Sequence, residues 1–124
     1  MIISAATVLI EEELQKEVWL EIEDGVIRSI NSGTTPEYDL RYEGILIPGF
    51  VDIHCHGGGG KYFASLTDSE ISQVIATHRA GGTVAGLASL VTEPIPNLIS
   101  QIKQLVPFAQ RGEIAGIHLE GPYL

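Results

Sequence analysis

From Ile45 onward the sequence alternates apolar stretches of strand length with longer stretches whose apolar residues recur at helical spacing, and no other feature limits the fold as much. "ILIPGFVDIHC" is a near-continuous apolar run, the pattern of a strand buried on both faces. "TDSEISQVIATHRAGG" follows it. Thr67 and Glu70 stand at capping-box spacing, Ile71, Val74, Ile75 and His78 fall at i, i+3, i+4 and i+7, and Gly81 and Gly82 close the helix. "TVAGLASLV" reads as the next strand. "IPNLISQIKQLVPF" reads as a helix with Ile95, Leu98, Ile99, Ile102, Leu105 and Val106 on one face, and "EIAGIHLE" as a third strand. Strands alternating with amphipathic helices predict βαβ crossovers and a parallel sheet, hence an α/β fold.

The first 47 residues differ in kind. "AATVLI" and "EVWLEIEDGVIRSI" are rich in β-formers, and Asp24-Gly25 between "VWLEIE" and "VIRSI" is a strong hairpin signal, because a tight turn of the right twist needs positive φ. Glu17, Glu21 and Glu23 alternate with Val18, Leu20 and Ile22, which predicts one solvated and one buried face. Glu11 to Glu13 read as a solvated loop.

Charge narrows the function. Sixteen acidic against seven basic residues give a formal net charge of -9, which opposes binding to a phosphate backbone, so no nucleic-acid partner is expected. No apolar run is long enough for a membrane span, and "MIISAATVLI" lacks the basic start and cleavage signature of a secretory leader, so a cytoplasmic protein without a membrane partner is expected. Cys55 is the single cysteine and cannot form an intrachain disulfide.

The chemistry concentrates at "PGFVDIHCHGGGG". Side chains alternate faces along a strand, so Asp52, His54 and His56 are expected on one face, with Val51, Ile53 and Cys55 on the other and Cys55 packed under a helix. Imidazole pairs at this spacing are either metal ligands or ordinary polar residues. Four features favour ligation: the four glycines after them, which permit a sharp turn and close approach of a ligand; their place at the carboxyl end of a parallel strand, where α/β folds bind ligands; Glu120 at the corresponding end of the third strand; and the N,N,O donor set, which suits Zn²⁺ or another divalent ion. His118 lies on the same face as Glu120 and reads as a hydrogen-bonded histidine, and His78 as structural. The same glycines do not make a phosphate loop, since Lys61 is followed by Tyr62 and not by Ser or Thr. They do resemble an esterase HGGG loop, but no serine lies in a G-x-S-x-G elbow.

"GILIPGFVDIHCHGGGG" resembles the first barrel strand of the amidohydrolase superfamily, with its P-G-[FL]-[IV]-D-x-H-x-H pattern. "AGIHLEGPYL" resembles the G-x-H-L-E-G-P segment of one branch, the N-acetylglucosamine-6-phosphate deacetylases, and "HRAGGTVAGLASLVTE" is similar to that branch's second strand region. The resemblance covers essentially the whole chain. It implies a metal-dependent hydrolase (β/α)8 TIM barrel, of which residues 48–124 would be the first three βα units. Residues 1–47 would be the N-terminal strands of a small β-sandwich. A whole barrel takes about 250 residues, so a fragment that is inactive alone is expected.

The resemblance further implies hydrolysis of the acetamide of N-acetylglucosamine 6-phosphate to glucosamine 6-phosphate and acetate, with one or two divalent ions, Zn²⁺ foremost, activating water and polarising the carbonyl. Glu120, His54 and His56 carry over as metal ligands, and Asp52 and His118 as supporting residues. The aspartate that transfers the proton, two further histidines and the phosphate-binding residues are expected beyond Leu124. Homodimers are usual in that branch. Two alternatives stay open: another amidohydrolase, dihydroorotase-like or a deaminase, and a noncatalytic α/β module that pairs with another chain.

Overall fold

The computed structural model describes residues 1–35, 37–64 and 67–124. It divides into two compact units, Met1–Pro48 and Gly49–Leu124.

The first unit is a four-stranded sheet of β1 (Ile2–Ile10), β2 (Glu13–Glu23), β3 (Val26–Ser32) and β4 (Leu40–Leu46) in the order β3-β2-β1-β4. β2 pairs antiparallel with both β1 and β3, and β4 runs parallel to β1. Asp24 and Gly25 take φ of 52° and 75° at the tip of the β2–β3 hairpin, so both central residues lie in the left-handed region, as this turn requires. Glu11 and Glu12 form the β1–β2 turn, whereas Glu13 already belongs to the strand. The alternation in β2 puts Val18 and Leu20 into a small core with Ala5 and Val8. The Arg41 guanidinium bridges Glu43 and Glu17 at 2.7 and 3.2 Å and reaches the buried Ser4 hydroxyl at 3.0 Å. Its hydrogen bonds to Glu43 and then Glu17 push its pKa above the usual arginine value.

"ILIPGFVDIHC" is not one strand. Ile45 and Leu46 close β4 in the first unit's sheet, and Pro48-Gly49 break the run, so that β5 (Phe50–Cys55) opens the second unit. After β5 come two short strands, β6 (Gly57–Gly58) and β7 (Lys61–Tyr62), then α1 (Asp68–Ala80), β8 (Thr83–Leu90), α2 (Ile95–Gln110) and β9 (Gly116–Leu119). β5, β8 and β9 make a wholly parallel sheet with β8 in the centre. Ile71, Val74 and Ile75 of α1 pack with Leu98, Leu105 and Phe108 of α2 over Ala88 and Leu90 of β8. Among the described residues the opposite face of the sheet is open: Val51 and Ile53 are 68% and 69% exposed, so β5 is not buried on both faces here.

Two local expectations need correction. Thr67 is the N-cap of α1, but its hydroxyl makes no cap bond to the backbone; it donates to the Glu70 carboxylate at 2.8 Å, which also takes the Lys61 ammonium. The apolar face of α2 is rotated from the expected one. Leu98, Gln101, Leu105 and Phe108 are the buried positions, while Ile95, Ile99 and Val106 face outward, because the helix packs through its 98/101/105/108 edge. No helix among the described residues is long and apolar enough to cross a membrane.

Candidate metal centre

The carboxyl end of β5 is shaped by the glycines that follow it. Gly59 and Gly60, with φ of 61° and 78°, form the two-residue turn between β6 and β7. A Cβ on Gly57 would lie 2.1 Å from the Lys61 carbonyl oxygen, one on Gly58 would lie 2.9 Å from His78 Nε2, and one on Gly59 would lie 2.6 Å from Thr77 Oγ1. These glycines therefore serve a miniature hairpin pressed against α1. The Phe63 N–H donates to the His56 carbonyl at 2.9 Å and ties the hairpin back to the strand end.

His54 and His56 project together, as their i, i+2 spacing predicts, and Glu120, the residue after β9, reaches them across the sheet. The two Nε2 atoms are 3.0 Å apart. One carboxylate oxygen, Oε2 of Glu120, lies 3.3 Å from His54 Nε2 and 2.9 Å from His56 Nε2. All three side chains are partly exposed at a rim. The backbone of Glu120 is pinned on both sides, its N–H to the Leu90 carbonyl at 2.9 Å and its carbonyl to the Thr92 hydroxyl at 3.1 Å.

This triangle fits a cation. The circle through the three donor atoms has a radius of about 1.8 Å, within the roughly 2.0–2.1 Å of zinc–nitrogen and zinc–oxygen bonds, so all three donors can reach a single ion. Two imidazole nitrogens and a carboxylate are also a donor set suited to zinc or a similar divalent ion.

Asp52 does not join this group. The pairing of β5 with β8 slips between Asp52 and Cys55, and strict alternation fails there. Asp52 faces Cys55 and His78, and these three form a separate cluster of donor atoms. Its support for the histidines runs through the backbone, where Oδ1 accepts the His54 N–H at 3.1 Å. Cys55 lies away from the His54 and His56 imidazoles and against α1, as expected. Its Sγ is 3.0 Å from His78 Nε2, and both side chains reach the Gly57 carbonyl, at 3.2 and 3.0 Å. Burial pushes the Cys55 thiol up, which keeps it neutral and makes it a packing residue with a weak donor. His118 Nδ1 lies 3.0 Å from the Ser89 hydroxyl, and its ring stands edge-on to His54 with centroids 4.9 Å apart.

Ser89 escaped the sequence reading. It sits on the central strand, 2% exposed, and touches three parts of the site: its Oγ accepts the Cys55 N–H at 3.1 Å and pairs with His118, and its carbonyl faces His56 Nδ1 at 3.2 Å. The available signal was a lone hydroxyl near the carboxyl end of an otherwise apolar strand, "TVAGLASLV".

No family model matches the chain. N-acetylgalactosamine-6-phosphate deacetylase from Shewanella sp. (strain ANA-3) is 31% identical over 134 residues, covering 100% of this chain and 34% of that protein. Among solved structures, N-acetyl-D-glucosamine-6-phosphate deacetylase from Mycobacterium smegmatis is 42% identical with a TM-score of 0.89, covering 100% of this chain and 36% of that one. An aspartate-to-alanine mutant of that enzyme in complex with N-acetyl-D-glucosamine-6-phosphate is 41% identical with a TM-score of 0.89, covering 100% of this chain and 33% of its own. The chain thus spans about a third of the length of the curated relatives it matches.

Proposed function

We infer the function from one premise: the chain belongs to the family of N-acetylglucosamine- and N-acetylgalactosamine-6-phosphate deacetylases, within the amidohydrolase superfamily. On that premise it supplies part of the metal centre of an enzyme that hydrolyses the acetamide of N-acetylglucosamine 6-phosphate to glucosamine 6-phosphate and acetate. The observation that supports this reading is the His54–His56–Glu120 triangle, whose donors come from two non-adjacent strands and meet within 3.3 Å of one another. Residues 48–124 provide the first three βα units of the barrel, and residues 1–47 strands of a small β-sandwich. The charge of -9 opposes a nucleic-acid partner; the full-length enzyme works on a small amino-sugar phosphate in the cytoplasm, without a membrane partner and as a homodimer.

His54 and His56 would hold a divalent ion, Zn²⁺ foremost, through Nε2, and Glu120 through Oε2. When bound, the ion supplies Lewis acidity toward the acetamide carbonyl and toward water. The residues of this chain do the holding. Glu120 contributes the negative charge that offsets the cation, Asp52 fixes the backbone of His54, and the hairpin after His56 fixes its carbonyl. General acid–base transfer belongs to the aspartate that the family resemblance places outside this sequence.

The matched relatives differ at the sugar, since the Shewanella enzyme is named for the galactosamine epimer and the Mycobacterium enzyme for the glucosamine one. The 42% identity favours the glucosamine reading. Acetate release from both epimers by the complete enzyme, before and after exhaustive chelation, tests the proposal. Faster turnover of the glucosamine epimer, lost with the metal and restored by added zinc, is expected. Full activity in metal-free protein overturns it, and faster turnover of the galactosamine epimer moves the substrate assignment.

A further inference from the structure

We propose that Ser89 is the positioning residue of the metal centre and that it sets opposite tautomers in two histidines: His56 as an Nδ1–H imidazole whose Nε2 is left to a cation, and His118 as an Nε2–H imidazole that acts as a donor and not as a ligand. The assignment follows from proton accounting at one buried residue. The Ser89 carbonyl can only accept, so the 3.2 Å contact to His56 Nδ1 requires a proton on that nitrogen. That leaves Nε2 as the ligand atom of His56, 2.9 Å from Glu120 and 3.0 Å from His54 Nε2, where a cation, or a proton in its place, satisfies the Glu120 carboxylate.

The hydroxyl of Ser89 has two partners. The Cys55 N–H, at 3.1 Å, can only donate, which occupies one lone pair of Oγ. The hydroxyl proton of a residue that is 2% exposed needs an acceptor, and His118 Nδ1 at 3.0 Å is the acceptor in reach. The reverse arrangement, with His118 Nδ1–H donating, would leave that proton buried and unpaired, which is unfavourable. Ser89 therefore gives its proton to Nδ1, and the His118 proton resides on Nε2. Through Cys55, which separates His54 from His56 in sequence, the same hydroxyl also fixes the strand end that carries both ligands. A ring oriented by a partner at its other nitrogen is how metal-bound histidines are ordinarily set, and here one serine does this for the ligand and the opposite for its neighbour.

The functional meaning of this arrangement and the His56 tautomer rest on the proposed metal centre, but the His118 tautomer does not. Long-range ¹H–¹⁵N spectra of histidine-labelled protein, chelated and held above the imidazole titration range at about pH 8, read both rings directly. His118 is expected to carry its proton on Nε2 before any metal is added, and His56 to carry its proton on Nδ1 once zinc is bound. In Ser89→Ala the His118 pattern is expected to change, and zinc affinity to fall roughly 10- to 100-fold; Ser89→Thr, which keeps the hydroxyl, is expected to restore both. A proton on His118 Nδ1 in the unaltered protein overturns the proposal, and so does an unchanged His118 signal in Ser89→Ala. Should either variant fail to fold, the spectrum of the unaltered protein decides alone. The expected His118 tautomer in a protein that takes up no zinc would leave Ser89 as assigned and remove the metal reading instead.

Discussion

The glycine hairpin after His56 offers a graded test, because its positions differ in what a methyl group would meet. At Gly60 the space is open, so alanine there meets only the left-handed backbone at φ 78°, a cost of about 1 kcal/mol. At Gly59 the same backbone cost is joined by a contact 2.6 Å from Thr77 Oγ1. That hydroxyl can turn away only by giving up its 2.8 Å bond to the Gln73 carbonyl, which adds roughly 1 kcal/mol. At Gly57 the obstacle is main chain, with Lys61 O at 2.1 Å and Tyr62 Cα at 2.9 Å, and neither can move unless the two short strands part. Overpacking of this kind costs about 1–3 kcal/mol, and Gly57→Ala belongs at the upper end. Urea unfolding of the three variants is expected to rank Gly60→Ala, Gly59→Ala and Gly57→Ala in rising order of loss. Zinc titration is expected to show weakened binding in Gly57→Ala alone, since opening the hairpin releases the Phe63–His56 bond. Equal losses at Gly57 and Gly60, or a Gly57→Ala protein within about 0.5 kcal/mol of the original, would refute the idea that the glycines exist to close this turn.

Three further outcomes are expected. Leu105→Ala, at a side chain 0% exposed, should cost about 2–5 kcal/mol in urea, whereas Ile99→Ala, 47% exposed, should stay within about 1 kcal/mol; similar large losses at both would restore the helical face expected from periodicity, which holds the two together. Glu120→Gln keeps the shape but removes the charge, and isothermal titration should show zinc binding at least about tenfold weaker, or 1.4 kcal/mol, with unchanged affinity refuting a ligand role. Burial favours the neutral form of Cys55, so its alkylation by iodoacetamide should be slower than that of a free thiol at neutral pH and accelerate only above the ordinary thiol range; rapid labelling at pH 7 would contradict this.

The order of strands and helices and the meeting of His54, His56 and Glu120 were legible because period-two alternation and the placement of ligands at carboxyl ends of parallel strands are consequences of backbone geometry. The failures have a common cause. Alternation alone puts Asp52 on the histidine face, but a slip in the β5–β8 register cancels it, and sequence carries no mark of such a slip. The outward turn of Ile95 and Ile99 reflects which edge of α2 the sheet meets, and both candidate faces are apolar in sequence. "ILIPGFVDIHC" looked continuous because hydrophobicity does not report which sheet a residue joins. Ser89 was invisible because its value lies in partners supplied by two other strands.

β8 contributes no ligand, yet it lies between the strand that carries the imidazoles and the one that carries the carboxylate. Two inter-strand steps of about 4.8 Å set the gap that those side chains must span, so the pocket works as a caliper whose opening is fixed by amide-to-carbonyl spacing. A substitution in β8 that buckles or tilts it would change the spacing of His54, His56 and Glu120 while leaving all three in place, and screens confined to the proposed ligands would miss it.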